Sequence, residues 1–565
     1  MNKKKSTLPR TSLGIGLLVV LFVLVVGVHP SQEGETEAGF PEDHSMMLGG
    51  ASYMAYFGVN AASVPAASGS GPPGGTGSPP RVGSNAQVND PQSPFPNGLL
   101  GRSETTIAAD PSGRYLLAGW NDADGFCGPP FGAPCPPPPV PGLSGFAFSN
   151  DGGDNWTDLG APFTVPSPTP GGIQMTRGDP WMDTGGPGEK TYYYANLSVD
   201  FTNTNPGFGG MTIHRGEFKS KTFSFNNGVF VAAPNNANGP LDFMDKEALC
   251  AGKSGIAKDE VTVSVTNFIE VAGIPFFGFG QIEAYGSTDR ASSFAAPTIV
   301  QPDETISVPL NEGIVNQGST CAYGPGGELY ITWERGFLSP FFGQGGAGVF
   351  PQIVFAASFD GGASFGARTL VSDISSGALF PPAGYNRGNH NDFPRIAAAQ
   401  SGPLRGRVYV AYQDSRIANG GTQAATGGLG HPDLDVYVRF SDDGGSTWSS
   451  PTLAAGGGDG LIQFWPVVSV QPDGDVVVSY NESVEGGGTS MVDVFTATST
   501  DGGATFAVPI RVTEVTTDWG ATATNIVPNF GDYIFHVSTG NKDHVTWADG
   551  RNGVPDTFYA TVKTN

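Results

Sequence analysis

The chain has 565 residues, with 28 basic side chains against 52 acidic ones, a formal net charge of −24. So acidic a chain excludes nucleic acid and anionic membrane surfaces as partners, because phosphate binding needs a positive field. With 84 glycines, 47 prolines and no long helix-period stretch, it reads as an all-β protein of short strands and tight turns.

The first thirty residues read as a signal peptide or N-terminal anchor. Lys3, Lys4, Lys5 and Arg10 precede an apolar run from Leu13 to Val28, which His29-Pro30 ends. No small-residue cleavage site follows, so an uncleaved anchor stays open; either way the body is expected to be secreted or displayed at the cell surface. Such an anchor would be its sole contact with a membrane. Residues 31–84 shift from an acidic stretch to Ser/Gly/Pro-rich sequence that cannot bury a core, a disordered linker.

From residue 85 to 565 a repeat takes over. Its mark is S-x-D-G-G-x-x-[WF]: SNDGGDNW (149–156), SFDGGASF (358–365), SDDGGSTW (441–448) and STDGGATF (499–506). STDRASSF (287–294) is a copy without glycines, and another has decayed near 214–225. An apolar strand, a Gly turn and a strand ending in an aromatic precede each mark, as in PVVSVQPDGDVVVSYNE (466–482). A period of roughly seventy residues recurring this often means a propeller or solenoid.

Seven such units are countable, each predicting a hairpin, a third strand, the Asp turn and a fourth strand. The last unit ends one strand short. Ala86-Gln87-Val88-Asn89, just after the linker, is placed to supply it and so remove an exposed edge. Four cysteines occur: Cys127 and Cys135 bracket a Gly/Pro loop, and Cys250 and Cys321 are candidates for a second disulfide. No Cys/His cluster reads as a metal site, no cofactor is expected, and a monomer is.

The marks resemble the Asp-box (BNR) repeats of the sialidase superfamily, a likeness covering about 103–562 through its repeats. Sialidases have six blades, so seven is a departure. In that fold the boxes lie opposite the active site, and here too they read as scaffold: the Asp accepts backbone N–H bonds within the turn and the glycines permit positive φ. Chemistry then belongs to the loops that enter each first strand and leave each second strand.

Those loops carry Arg102, Arg177, Arg335, Arg416 and Arg551, with carboxylates, His390 and Tyr533 among them. Sialidases bind a sugar carboxylate with three arginines and use a tyrosine nucleophile. The resemblance implies Arg102, Arg416 and Arg551 as carboxylate ligands with Asp532 beside them, Tyr533 as nucleophile, Glu482 as its base, and Asp179 or Asp392 as proton donor. The R-I-P motif of the first sialidase arginine is missing, PRIA (394–397) being only an echo of it. Two functions are carried forward: a sialidase-like glycoside hydrolase acting on acidic-sugar-terminated glycans, or a non-catalytic extracellular propeller binding glycan or protein. The arginines divide them. Convergence on one point favours a carboxylate ligand, whereas pairing with local aspartates favours the binder or a structural role.

Overall fold

A computed structural model describes residues 81–91, 100–123, 142–161, 174–200, 207–232, 243–253, 257–268, 280–307, 312–338, 349–375, 382–386, 391–415, 434–457, 459–484, 489–524, 526 and 528–564. The expected leader, nearly all of the linker, the Cys127–Cys135 loop, His390 and Arg416 lie outside these residues. Among the described residues no helix is long and apolar enough to cross a membrane.

Seven antiparallel sheets follow one another along the chain, blades I to VII. Their first strands begin at Arg102, Trp181, Phe243, Glu312, Arg395, Gln463 and Phe535. Blade V shows the plan: Arg395–Ala398, Val408–Asp414, Asp435–Ser441 and Thr452–Ala455, hydrogen-bonded in that order. Both faces of a blade are covered by neighbours, so inner strands such as Val476–Ser483 run apolar without strict alternation. The core therefore lies between blades. Tyr409, Val436 and Val438 of blade V pack with Val468, Val476 and Tyr480 of blade VI, and Tyr559 of blade VII packs with Ile107, Leu116 and Trp120 of blade I, which closes the ring. The fold is a seven-bladed β-propeller.

Closure uses the chain's two ends, as the strand count requires. Ala86 and Gln87 pair with Tyr559 and Phe558 of the last strand, Asp556–Lys563. The pairing starts earlier than the linker boundary at 84 allows: Arg81 and Val82 oppose Lys563 and Val562. Backbone hydrogen bonds are indifferent to the Ser/Gly/Pro bias that sets that boundary in the sequence. Asn89 adds side-chain bonds to Asp556 and to the amide of Thr557.

The Asp turns behave as scaffold. In blade V, Asp443 Oδ1 accepts from the Ser441 hydroxyl (2.8 Å) and the Thr447 amide (2.8 Å), and Ser441 Oγ accepts from Gly445 N (2.8 Å). Gly445 has φ +87°, and a β-carbon there would stand 2.0 Å from the Phe355 ring of blade IV, so the glycine serves both turn and close approach. Blade III keeps the geometry without glycine, holding Arg290 and Ala291 at φ 61° and 58°. Blade II has replaced its box with a hairpin turn between Gly207–Lys219 and Thr222–Phe225. Cys250 and Cys321 are joined, linking the first strands of blades III and IV.

Candidate functional site

The first strands carry a repeated irregularity near their starts. Register against the second strand slips between Ser103 and Thr106, Asp245 and Ala248, Gln317 and Thr320, and Phe464 and Val467. Within each slip one residue is left-handed: Glu104 (φ 50°), Lys246 (54°), Gly318 (67°) and Trp465 (51°). Asp179 (51°) in blade II and Gly531 (87°) before blade VII hold the same conformation. Such a bulge re-aims a side chain that would otherwise face a neighbouring blade, and a non-glycine residue there costs about 1 kcal/mol or more.

Four of these re-aimed or adjoining side chains meet on the ring axis. Lys246 Nζ of blade III lies 2.7 Å from Asp179 of blade II, 2.7 Å from Asp532 of blade VII and 3.1 Å from Glu104 of blade I. Burial opposes the lysine's charge, but Asp179, Asp532 and Glu104 outweigh it and hold its proton well above the usual range. Burial, then the Asp179 carboxylate, pushes Glu104 well above the usual carboxylate range. Asn121 ties the group to blade I, donating to Glu104 (2.8 Å) and accepting from the Asp179 amide (2.8 Å). Tyr385, from the loop entering blade V, donates to Asp532 (2.8 Å) and packs on Trp465 and Phe530.

Below the cluster lies an aromatic plug. Arg395, nine-tenths buried, places its guanidinium 4.3 Å from the Trp181 ring centre, 4.9 Å from Tyr533 and 5.6 Å from Phe535. Burial lowers its pKa to about 10. Tyr533 is 4% exposed, donates its hydroxyl to Pro180 O (3.1 Å), and burial drives its phenol well above 10. It is a packed tyrosine whose hydroxyl is engaged by backbone.

A second acidic group spans blades IV and V. Glu334 Oε2 accepts the amide of Asp392 (3.3 Å), and burial, then the Asp392 carboxylate, pushes Glu334 up to about 8. Asp392 accepts from Gln413 Nε2 (2.8 Å); the same amide donates to Asn391 O (2.7 Å) and accepts from Trp465 N (2.7 Å). Next in sequence, Phe393 is half-buried with its ring against Gly318, where a β-carbon would stand 2.0 Å away. One acid held protonated at neutral pH beside a second carboxylate is the arrangement of general acid–base catalysis.

Of the residues singled out in the sequence, Asp179, Asp532 and Tyr533 come together at the mouth, and Asp392 sits in the second acidic group. Glu482 does not reach Tyr533. It lies in blade VI against Gln463 Nε2 (3.2 Å), pushed up to about 7 by burial. Among the described residues, which leave out Arg416, the arginine convergence is not found. Arg102 is paired with Asp122 (3.1 Å), Arg335 with Glu304 (2.8 Å) and Arg551 with Asp549 (2.7 Å). The cause is local: the carboxylate two residues before Arg551 in W-A-D-G-R captures it in its own loop. Sequence reasoning counted Glu334 only among the loop carboxylates, and gave Lys246, Gln413 and Phe393 no role. A lysine in a loop set otherwise supplied by arginines, M-D-K-E-A, was a usable signal; no signal in the chain marks Gln413.

No family model matches the chain, and no curated protein does. Solved structures do, distantly. The GH93 α-L-arabinofuranosidase of Fusarium graminearum with arabinobiose is 12% identical, covering 85% of this chain and 98% of its own, with TM-score 0.43. A Hadza microbial sialidase is 11% identical over 79% and 73% with TM-score 0.40, and a PL25 ulvan lyase 10% over 81% and 93% with TM-score 0.41. Likenesses this remote say nothing about activity. The class rests on the blades, whose order and Asp turns are visible directly: the chain is a seven-bladed β-propeller with Asp turns between its strands.

Proposed function

We propose that this protein is an exported glycan-acting propeller, a glycoside hydrolase whose chemistry is carried by carboxyl groups at the mouth of the ring. The observation that carries this reading is the Glu334–Asp392 pair, with half-buried Phe393 beside it. Glu334 gives its proton to the leaving glycosidic oxygen as the C–O bond breaks. Asp392, oriented by Gln413, takes a proton from the water that adds to the anomeric carbon. The Lys246 cluster fixes blades I, II, III and VII around that mouth.

Export is supported by the leader-like N-terminus and by the Cys250–Cys321 disulfide, which suits an oxidising compartment. A sialidase of the usual kind finds less support, since Arg102 and Arg551 are held by carboxylates and Tyr533 is packed. The arginine pairings also favour a second reading, a non-catalytic propeller that binds glycan through the same mouth. Incubation of the purified protein with aryl glycosides, polysaccharides and a fluorogenic sialoside separates the three. Product from a glycan lacking sialic acid, abolished in Glu334→Gln, supports the proposal. Sialoside cleavage restores the sialidase, and binding without product leaves the binder.

A further inference from the structure

We infer that the seam between blades II and III holds a second ligand site, away from the mouth, which takes the carboxylate of an acidic sugar. Blades I and III to VI keep the Asp turn at this end. In blade II the stretch H-R-G-E-F-K-S-K (214–221) makes a hairpin instead, and the outer strand breaks into Thr222–Phe225 and Val229–Ala232. The break opens a cleft of about 650 Å³, lined by Arg215, Phe225, Asn226, Asn227 and Val229 of blade II and by Ser292 of blade III. Clefts of about 300–1,000 Å³ are the size that takes small ligands.

Arg215 is the cation of the cleft. Its Nη1 donates across the seam to Arg290 O (2.8 Å) and Ser292 Oγ (2.7 Å), which fixes the plane of the guanidinium. Among the described residues no carboxylate pairs with it, and its Nε–Nη2 edge makes no hydrogen bond. That edge carries two parallel N–H groups, the geometry that takes a planar carboxylate bidentately. The acids around it are committed elsewhere. Glu217 pairs with Arg290 (2.9 Å), and Asp289 accepts from Ser287, Ser292 and Ser293 within its own turn. Lys219 and Lys221, exposed on the hairpin, add positive charge to this side of a chain whose net charge is −24. The other lining groups select the body that carries the carboxylate. Asn226 and Asn227 are exposed, and each amide offers hydroxyls both donors and an acceptor. Phe225 and half-buried Val229 give the cleft an apolar side for the C–H face of a ring. A hexuronate presents all three features: a planar carboxylate, hydroxyls and an apolar face.

The test is titration calorimetry of the full chain with digalacturonate, with its dimethyl ester, and with succinate, a carboxylate that carries no hydroxyls. Digalacturonate is expected to bind, and the ester and succinate to bind roughly tenfold more weakly or not at all. Arg215→Gln, and Arg215→Lys, which keeps the charge but loses the two-pronged edge, should each weaken digalacturonate by roughly tenfold or more. Asn227→Asp, at an exposed position, should weaken it by repulsion at unchanged melting temperature, and it carries the test if the arginine variants fail to fold. No binding of digalacturonate, equal binding of the ester or of succinate, or unchanged affinity in folded Arg215→Gln or in Asn227→Asp would overturn the inference. Absence of glycan cleavage would defeat the hydrolase and leave this site standing, because binding here needs no turnover.

Discussion

The two faces of the propeller put the same side chain to opposite uses. On the box face, hydrogen bonds from the Ser364 hydroxyl and amide draw Asp360 down to about 2, and those from Thr447 do the same for Asp443. Both aspartates are in water, well supplied with donors, and permanently ionised. On the mouth face, burial pushes Glu334 up to about 8 and takes Glu104 and Glu247 well above the usual range. The conspicuous motif holds turns; the carboxyls whose pKa is raised lie in no motif at all. What a carboxyl does is set by how many donors it is given and how much water it loses.

The contrast can be broken in several places. The largest effect should come from Lys246→Met, which leaves Asp179 and Asp532 buried without their cation; such losses cost about 3–5 kcal/mol. Urea unfolding should show it, and an unchanged midpoint would mean the cluster does not hold the ring. Next, Glu334→Gln should lower kcat on a cleaved glycan by roughly 10²–10⁴-fold with no loss of melting temperature. Wild-type activity should fall as pH rises through about 8, where Glu334 loses its proton, and this limb should vanish in the variant.

Stability gives the same contrast with opposite signs. Glu334 has a raised folded pKa, so its ionisation is a cost that begins above the unfolded value of 4.5 and is complete above about 8. Glu334→Gln should therefore melt higher than wild type at pH 9 and match it at pH 4. Asp360 and Asp443 have depressed folded values, so their contribution is present above 3.8 and lost as pH falls toward 2. Asn at either position should narrow the difference in melting temperature between pH 5 and pH 2. The smallest effect belongs to Ser441→Ala. It leaves the buried Gly445 amide without its acceptor, for about 1–2 kcal/mol by denaturant unfolding, and should not touch glycan binding.

How far the sequence could be read follows the same division. Blade number, Asp turns and closure by residues 86–89 were legible because local rules write them: a spaced Asp and glycines, apolar strands, a missing strand at one end. That Asp179, Asp532 and Tyr533 belong to loops on one side of the ring was legible too, and they meet around Lys246. Pairing was not. Arg102 and Arg551 looked alike as ligands and as local clamps, and only geometry shows that Asp122 and Asp549 hold them. Lys246 reaches three other blades through a left-handed bulge, and Glu334 owes its state to burial and then to Asp392, 58 residues away. No periodicity encodes such meetings.

The most direct measurement is the protonation of Glu334 itself, followed by carboxyl chemical shift in protein carrying ¹³C-labelled glutamate and assigned by loss of the signal in Glu334→Gln. The mouth described above requires that resonance to titrate near pH 8, far from the exposed glutamates. A Glu334 signal titrating with them near 4.5 would contradict it, since no acid would then be held protonated at neutral pH beside Asp392 and the mouth would have no general acid to offer.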